Sequence, residues 1–435
     1  MYHFQLLSKS RRGGGRSKGL LFLLITISLL ALNATALPLK NLEKQLVRSH
    51  LDLKSMDAEM TSLNLQKESQ ESLFAPKINF KTGWANKKKP EVNNDGPVAY
   101  GQISWNLFNG GKDYKTITRT EKQKNILGLN TELEKNKVIL QLRKLLIEQS
   151  FLQQEKHLLH ASHQEHELHI QALKKKIHSG LSLDLELVRF ELDVTKMELA
   201  ENELIQKIRA NELEIESLLV AKNAQNKTED LLADENFQTE FAKIQWNQPQ
   251  QKTLQQSLME ANIDMTELDA DLEIRDIYPK LDFDFKYGAI EPNSGLSMGQ
   301  ISDRFRDYET QFLLTLPLYD GGSQGKKQKS ILAKKSAEEF KLFHWKQSQA
   351  QALEANKNQI LMLQNQLSIL QKALSQSKKL YDKTKQAFQA GLKDSQDLMD
   401  SYVNWRDVQS QWLQNKKDLF EKASELELTY YYPLL

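Results

Sequence analysis

The residues most suggestive of chemistry lie in one run, HLLHASHQEHELH, which places His157, His160, His163, His166 and His169 three apart. Histidines at i,i+3 are neighbours on a helix, so adjacent pairs could share a zinc ion or a proton. Each step of three falls about 60° short of a full turn, however, so the five sweep most of the way round the helix. They form no common face; they read as surface residues, and no metal site is expected. Nothing else in the chain assembles a reaction. The pairs Gly110-Gly111 and Gly321-Gly322 lack the Lys-Ser/Thr that completes a phosphate-cradling loop. Carboxylates abound, but along solvated helical stretches. With no cysteine there is no disulfide, thiolate metal site or lipid-modified N-terminal Cys. No enzyme and no cofactor are expected.

The elements that carry these residues follow a leader. Residues 1–36 hold Lys9, Arg11, Arg12, Arg16 and Lys18 and no acid, so the overall charge of +2 becomes −3 for the remainder, and nucleic acid is not an expected partner. The basic stretch precedes the apolar run GLLFLLITISLLAL and then NATA, with Ala34 and Ala36 in small-x-small spacing. Fourteen apolar residues are short for a span, which needs ~20. A signal peptide cleaved after Ala36 is expected, a retained anchor being the alternative. The Arg11-Arg12 pair beside GGG is a poor twin-arginine match.

The chain repeats itself. Gly110-Gly111 recurs as Gly321-Gly322, and SGLSLDLEL recurs as AGLKDSQDL, both at an offset of 211. Upstream, APKINFKTGW pairs with YPKLDFDFKYG at an offset of 203. Each copy reads as a polar helix, a proline, two strands, a double glycine and a very long helical tract. No proline lies between Pro97 and Pro249 or between Pro317 and Pro433. Proline costs ~3 kcal/mol inside a helix, so such absence is a strong helix signal. The 69 residues from Gly111 to Gly180 would make a rod of roughly 100 Å, with Gly180 and Gly391 as reversal points. The expected layout is a first repeat over 37–222 (strands about 77–86 and 98–108, hairpin turning at 180), a connection over 223–250, and a second repeat over 251–435 (strands about 280–288 and 308–319, hairpin turning at 391).

The strands alternate. Leu281, Phe283, Phe285 and Tyr287 point one way while Asp282, Asp284 and Lys286 point the other. Phe312, Leu314, Leu316 and Leu318 share a face, as do Ile103, Trp105 and Leu107, and Ile78, Phe80 and Trp84. A soluble sheet would need a matching apolar helix surface, and none is evident. An apolar face in lipid with a charged face around water is the pattern of an outer-membrane barrel. Four strands cannot close one, since the smallest need ~8, so copies must pool them. Two copies would give a barrel filled by its own side chains; three would leave a water channel. Asn109 and Asp320 sit where strand becomes helix and can cap its first turn, while Gly110, Gly111, Gly321 and Gly322 permit unusual backbone angles.

With its duplicated order of helix, Pro, two strands, (N/D)GG, long helix, GL and helix, and with LPLYDGG and AGLKDSQDLMDS as its nearest motifs, the sequence resembles the TolC-like outer-membrane efflux proteins over nearly all of the mature chain. The resemblance implies a mostly α fold with a small β part, assembled as a homotrimer with a twelve-strand barrel in outer-membrane lipid and helical hairpins forming a tunnel through the periplasm. It implies a passive exit duct for efflux or type I secretion, working with an inner-membrane transporter and a periplasmic adaptor. The adaptor would meet the tips at Gly180, Leu181, Gly391 and Leu392. By the same resemblance Asp397 and Asp400 would line the periplasmic entrance and favour cations, with Arg189 and Glu186 at the equivalent first-repeat positions and an Asp397/Asp400–Arg189 latch between them. The chain departs from the family in RSHLDLK, which lacks the usual Asn-Pro pair, and in having no cysteine for a lipid anchor. The alternative is a soluble periplasmic coiled-coil adaptor or structural rod; a third reading is a secreted surface protein.

Overall fold

The computed structural model describes residues 39–89, 92–178, 184–219, 252–292 and 307–431. The expected leader, the connection 223–250 and the reversal at Gly180-Leu181 lie outside these residues. Helices α1 (Leu39–Ser49) and α2 (Leu51–Glu71) are divided at His50, whose extended backbone (φ −62, ψ 129) interrupts the helical path. A single 3-10 turn, Ser72–Phe74, leads to β1 (Lys77–Lys89) and β2 (Val92–Asn109). Then come α3 (Lys112–His178) and α4 (Asp184–Leu219). The second repeat gives α5 (Leu254–Ile274), a 3-10 turn at Arg275–Ile277, β3 (Lys280–Ala289), β4 (Tyr308–Thr315), α6 (Ser323–Gln389) and α7 (Ser395–Leu426), closed by a π-helical turn at Glu427–Tyr431. Helices α3 and α6 are each 67 residues long and start 211 residues apart, so the proline-free tracts are two equivalent rods of about 100 Å.

The sheet is antiparallel in the order β1-β2-β3-β4. Opposite faces differ in chemistry. Phe283 and Phe312 pack with ring centroids 4.9 Å apart and planes tilted by 48° on one face. On the other, Lys286 pairs with Glu309 at 3.2 Å, and Gln102 donates to Asp284. The ladder shifts register between Asn106 and Phe108, so Leu107 sits at a bulge. Among the described residues no α-helix covers the sheet, and Ile78, Phe80, Trp84, Phe312 and Leu314 are all more than half exposed. The β4 strand ends at Thr315, opposite Lys280 where β3 begins, so residues 316–319 have no ladder partner among the described residues.

The helical part carries the core. In α4 the buried residues Phe190, Met197, Leu204 and Asn211 recur every seven positions, the spacing of a coiled-coil seam, and pack toward α3. Ile147, Phe151, Leu204, Leu413 and Phe420 join α3, α4 and α7. Higher up, Leu42, Leu46, Leu142, Leu146 and Ile215 bring α1 into the same bundle. One buried cation ties this level together. Arg143 Nε donates to Glu43 at 2.6 Å and its Nη1 to Glu427 at 2.7 Å, linking α1, α3 and the C-terminal turn. Burial opposes charge on Arg143, but the two carboxylates outweigh it and hold its affinity for the proton above the ordinary value. No helix among the described residues is long and apolar enough to cross a membrane.

Candidate functional site at the helical tip

The second-repeat tip is built by a glycine and an aspartate. Gly391 has φ 73, and Leu392 N–H donates to Ala387 O at 2.9 Å while Gly391 N–H donates to Phe388 O at 3.1 Å. This pair of bonds satisfies the last carbonyls of α6 and turns the chain. Asp394 then starts α7, its carboxylate accepting from Asp397 N–H at 2.8 Å. Leu392 is 79% exposed at the point of the turn.

Asp397 and Asp400 lie just beyond, flanking the fully buried Leu398. Lys393 Nζ reaches Asp397 at 2.9 Å, which raises the proton affinity of the lysine. Asp400 accepts from Gln396 Nε2 at 2.8 Å, and Gln396 Oε1 accepts from Arg189 Nη1 at 3.4 Å. Within one copy Arg189 touches neither aspartate among the described residues and reaches Asp400 through Gln396. Glu186 accepts from Ser395 Oγ, tying the start of α4 to the start of α7. A cleft of about 350 Å³ lies between these helices, lined by Glu186, Arg189, Phe190, Gln396 and Met399. Sequence reasoning missed Gln396; its place at i−4 from Asp400 was the available signal.

The histidine ladder divides. His157 and His160 are exposed, whereas His166 and His169 are buried, at 0% and 5% exposure. His166 donates from Nδ1 to Ser162 O at 3.0 Å, packs edge-on to Tyr402 and lies by Phe190; its Nε2 has no partner. His169 Nε2 lies 3.1 Å from the Tyr381 hydroxyl and 3.6 Å from Glu165. Glu165 accepts from both Tyr381 and Lys385. Burial lowers the affinity of both histidines for a proton and takes His169 to about 4, outweighing the nearby Glu165. Burial alone would raise the Glu165 carboxyl, but Lys385 and Tyr381 hold it below the usual range. The ladder's buried end is thus a neutral polar joint where α3, α4, α6 and α7 meet. Among the described residues no group of three or more ligand side chains could hold a metal ion.

At the strand-to-helix junctions the two repeats differ. Asp320 caps α6, accepting from Gly322 N–H and Gln324 N–H at 2.8 Å each, and these bonds lower its carboxyl below the ordinary value. Asn109 does not cap; its amide donates to Asp113 at 3.0 Å. Gly110 and Gly111 have φ 60 and 73, Gly321 and Gly322 both 71.

Residues 249–429 match the family Outer membrane efflux protein. A comparison with curated protein sequences returns no match. The fold is similar to that of the outer membrane protein VceC from Vibrio cholerae (TM-score 0.73, 12% identity, 89% of this chain and 95% of that one). It is also similar to the CmeC outer membrane channel of Campylobacter jejuni (0.72, 12%, 90% and 84%). The open state of the MtrE outer membrane channel of Neisseria gonorrhoeae is a further likeness (0.68, 11%, 90% and 88%). The second half of the chain thus carries the sequence pattern of the outer membrane efflux proteins, and about nine-tenths of the chain shares its fold with the VceC, CmeC and MtrE structures.

Proposed function

We propose that the chain is one subunit of an outer-membrane channel-tunnel, a passive exit duct fed by an inner-membrane transporter through a periplasmic adaptor. The observation that carries this reading is the sheet: four strands, apolar on one face and charged on the other, with neither face covered by an α-helix among the described residues. In lipid an open edge costs several kcal/mol per unpaired group, so copies must pool their strands. Three copies make twelve strands around a water channel, whereas two would fill the lumen with side chains. The long hairpins hang from this barrel into the periplasm, and the turn at Gly391-Leu392 presents the exposed surface an adaptor would grip.

The entrance lies beside that turn. Three copies of Asp397 and Asp400 would ring it with carboxylates and favour cations. Lys393 offsets Asp397, so Asp400 would carry the larger share of the field. The test is fractionation with a heat-modifiability gel, followed by single-channel recording. A membrane-embedded oligomer that conducts, and whose cation preference falls in Asp397→Ala/Asp400→Ala, is expected. A soluble periplasmic monomer would replace this reading with that of a coiled-coil rod; an unchanged ion preference would remove the two aspartates from the entrance.

A further inference from the structure

The two repeats have the same parts but not the same neighbours. Helix α5 lies between both rods. On the α6 side Glu267 pairs with Lys335 at 3.0 Å and Glu273 with Lys327 at 3.1 Å. On the α3 side Asp269 pairs with Arg119 at 2.6 Å, Asp271 with Lys115 at 3.0 Å, Asp276 with Lys112 at 2.8 Å and Asp264 with Lys122 at 3.4 Å. Its first-repeat counterpart α2 packs among the described residues against the rod α3, where Thr120 Oγ1 donates to Gln70 at 2.8 Å and Lys67 pairs with Glu121 at 2.7 Å. Among the described residues no element packs on the other flank of α2 or on the matching flank of α6 as α5 packs on α3. Leu65 shows the cost: it is 60% exposed, whereas its counterpart Leu268 is 7% exposed.

The junction glycines repeat the contrast. A Cβ on Gly110 would lie 2.7 Å from Tyr278 Cβ, and one on Gly111 would lie 2.7 Å from Arg275 Nη1, because the second-repeat 3-10 turn roofs them. Gly321 and Gly322 hold the same backbone angles with nothing within 4 Å, beside Leu318 and Tyr319 at 93% and 90% exposure. In the first junction the roof comes from the next repeat along the chain. At the second junction no described segment of this copy forms such a roof.

We propose that the next copy supplies it: α2 and the turn Ser72–Phe74 of one copy dock on α6 and Gly321-Gly322 of another, as α5 and Arg275–Ile277 dock on α3 and Gly110-Gly111 within the chain. The inference rests on the pooled-barrel reading and fixes its seam residue by residue. The offsets of 203 and 211 place Glu68 where Asp271 stands and Lys326 where Lys115 stands. Of the four ion pairs on that flank this one keeps opposite charges; the others become Gln66 with Ser330, Thr61 with Ala333 and Leu73 with Ser323. Glu68 and Lys326 are both exposed and, among the described residues, make no ion pair in their own chain. The same register sets Leu316 opposite Phe80 of the adjoining copy, which gives residues 316–319 their ladder partner.

The chain has no cysteine, so the test has no background. Full-length Glu68→Cys/Lys326→Cys is treated in isolated outer membranes with a short bis-maleimide and then boiled in SDS. Lys115→Cys/Asp271→Cys, which should lose its free thiols without a change in mass, confirms that the reagent spans such a pair. The expected result is a shift from the one-copy to the three-copy mass, absent from either single-cysteine chain. An oligomer on unboiled gels that does not cross-link would overturn the seam and leave the channel reading standing. A monomer on unboiled gels would overturn both.

Discussion

Acidification should loosen the joint above the tip, and the size of the effect follows from His169. In the folded chain its imidazole holds a proton only below about 4, whereas an unfolded histidine does so below ~6.5. Between those values the opened state binds more protons than the closed one, so stability falls as pH falls. The contribution of His169 is whole well above ~6.5, is reduced by ~2 kcal/mol near pH 5, and is lost as the pH falls through about 4. His166, also lowered by burial, acts in the same direction. The groups facing the pair do not reverse the sign. Asp193 and Glu165 favour the charged forms, but Arg406, Lys385 and His163 oppose them and burial outweighs all.

The assay is amide exchange over residues 160–172 and 377–390, corrected for intrinsic rates, at about pH 7.5 and about pH 5. A loss of ~2 kcal/mol corresponds to ~30-fold less protection. His169→Gln keeps a donor toward Tyr381 but cannot titrate, so it should show only the smaller response of His166, and His166→Gln/His169→Gln none. Unchanged protection in the natural chain, or an equal acid response in the double variant, would refute the reasoning.

Arg143→Met should cost about 3–5 kcal/mol in urea unfolding, because Glu43, at 2% exposure, loses the cation at 2.6 Å that compensates it. Asp394→Ala should weaken the first turn of α7 by about 1 kcal/mol, read as faster exchange at 397–400 with the α6 interior unchanged. Gly391→Ala meets open space and should cost only the ~1–2 kcal/mol of a left-handed non-glycine residue. Gly110→Ala carries that strain and a Cβ 2.7 Å from Tyr278 Cβ, so thermal unfolding should rank it as the more damaging of the two.

The fold was legible because its signals are long or repeated. Two proline-free tracts at one offset became rods of equal length, and Leu281, Phe283, Phe285 and Tyr287 announced a two-faced strand by alternation alone. Local chemistry was legible only where it stays local: the cap by Asp320 on its own helix is a short-range bond, and so is the Lys393–Asp397 pair. What the residues could not disclose is which distant segment arrives. The run around His166 and His169 looks solvated by composition, yet Phe190, Tyr381 and Tyr402 come from three other helices to bury it. Arg189 was matched to two aspartates by charge, but the amide of Gln396 stands between, satisfying both at once.

The start of β2 failed for the same reason. Asn93, Asn94, Asp95, Gly96 and Pro97 are loop formers, and the strand was expected from 98, yet the β1 ladder holds them extended from Val92. Pairing overrode propensity because β1 lies alongside along its whole length. The bare flank of α2 is the converse. Leu65 has a strong preference for burial and is 60% exposed among the described residues, while Leu268, with the same preference, is 7% exposed on a helix held between both rods. Internal duplication therefore supplies what single-copy sequence reading lacks, since each contact in one repeat specifies the contact its counterpart still requires.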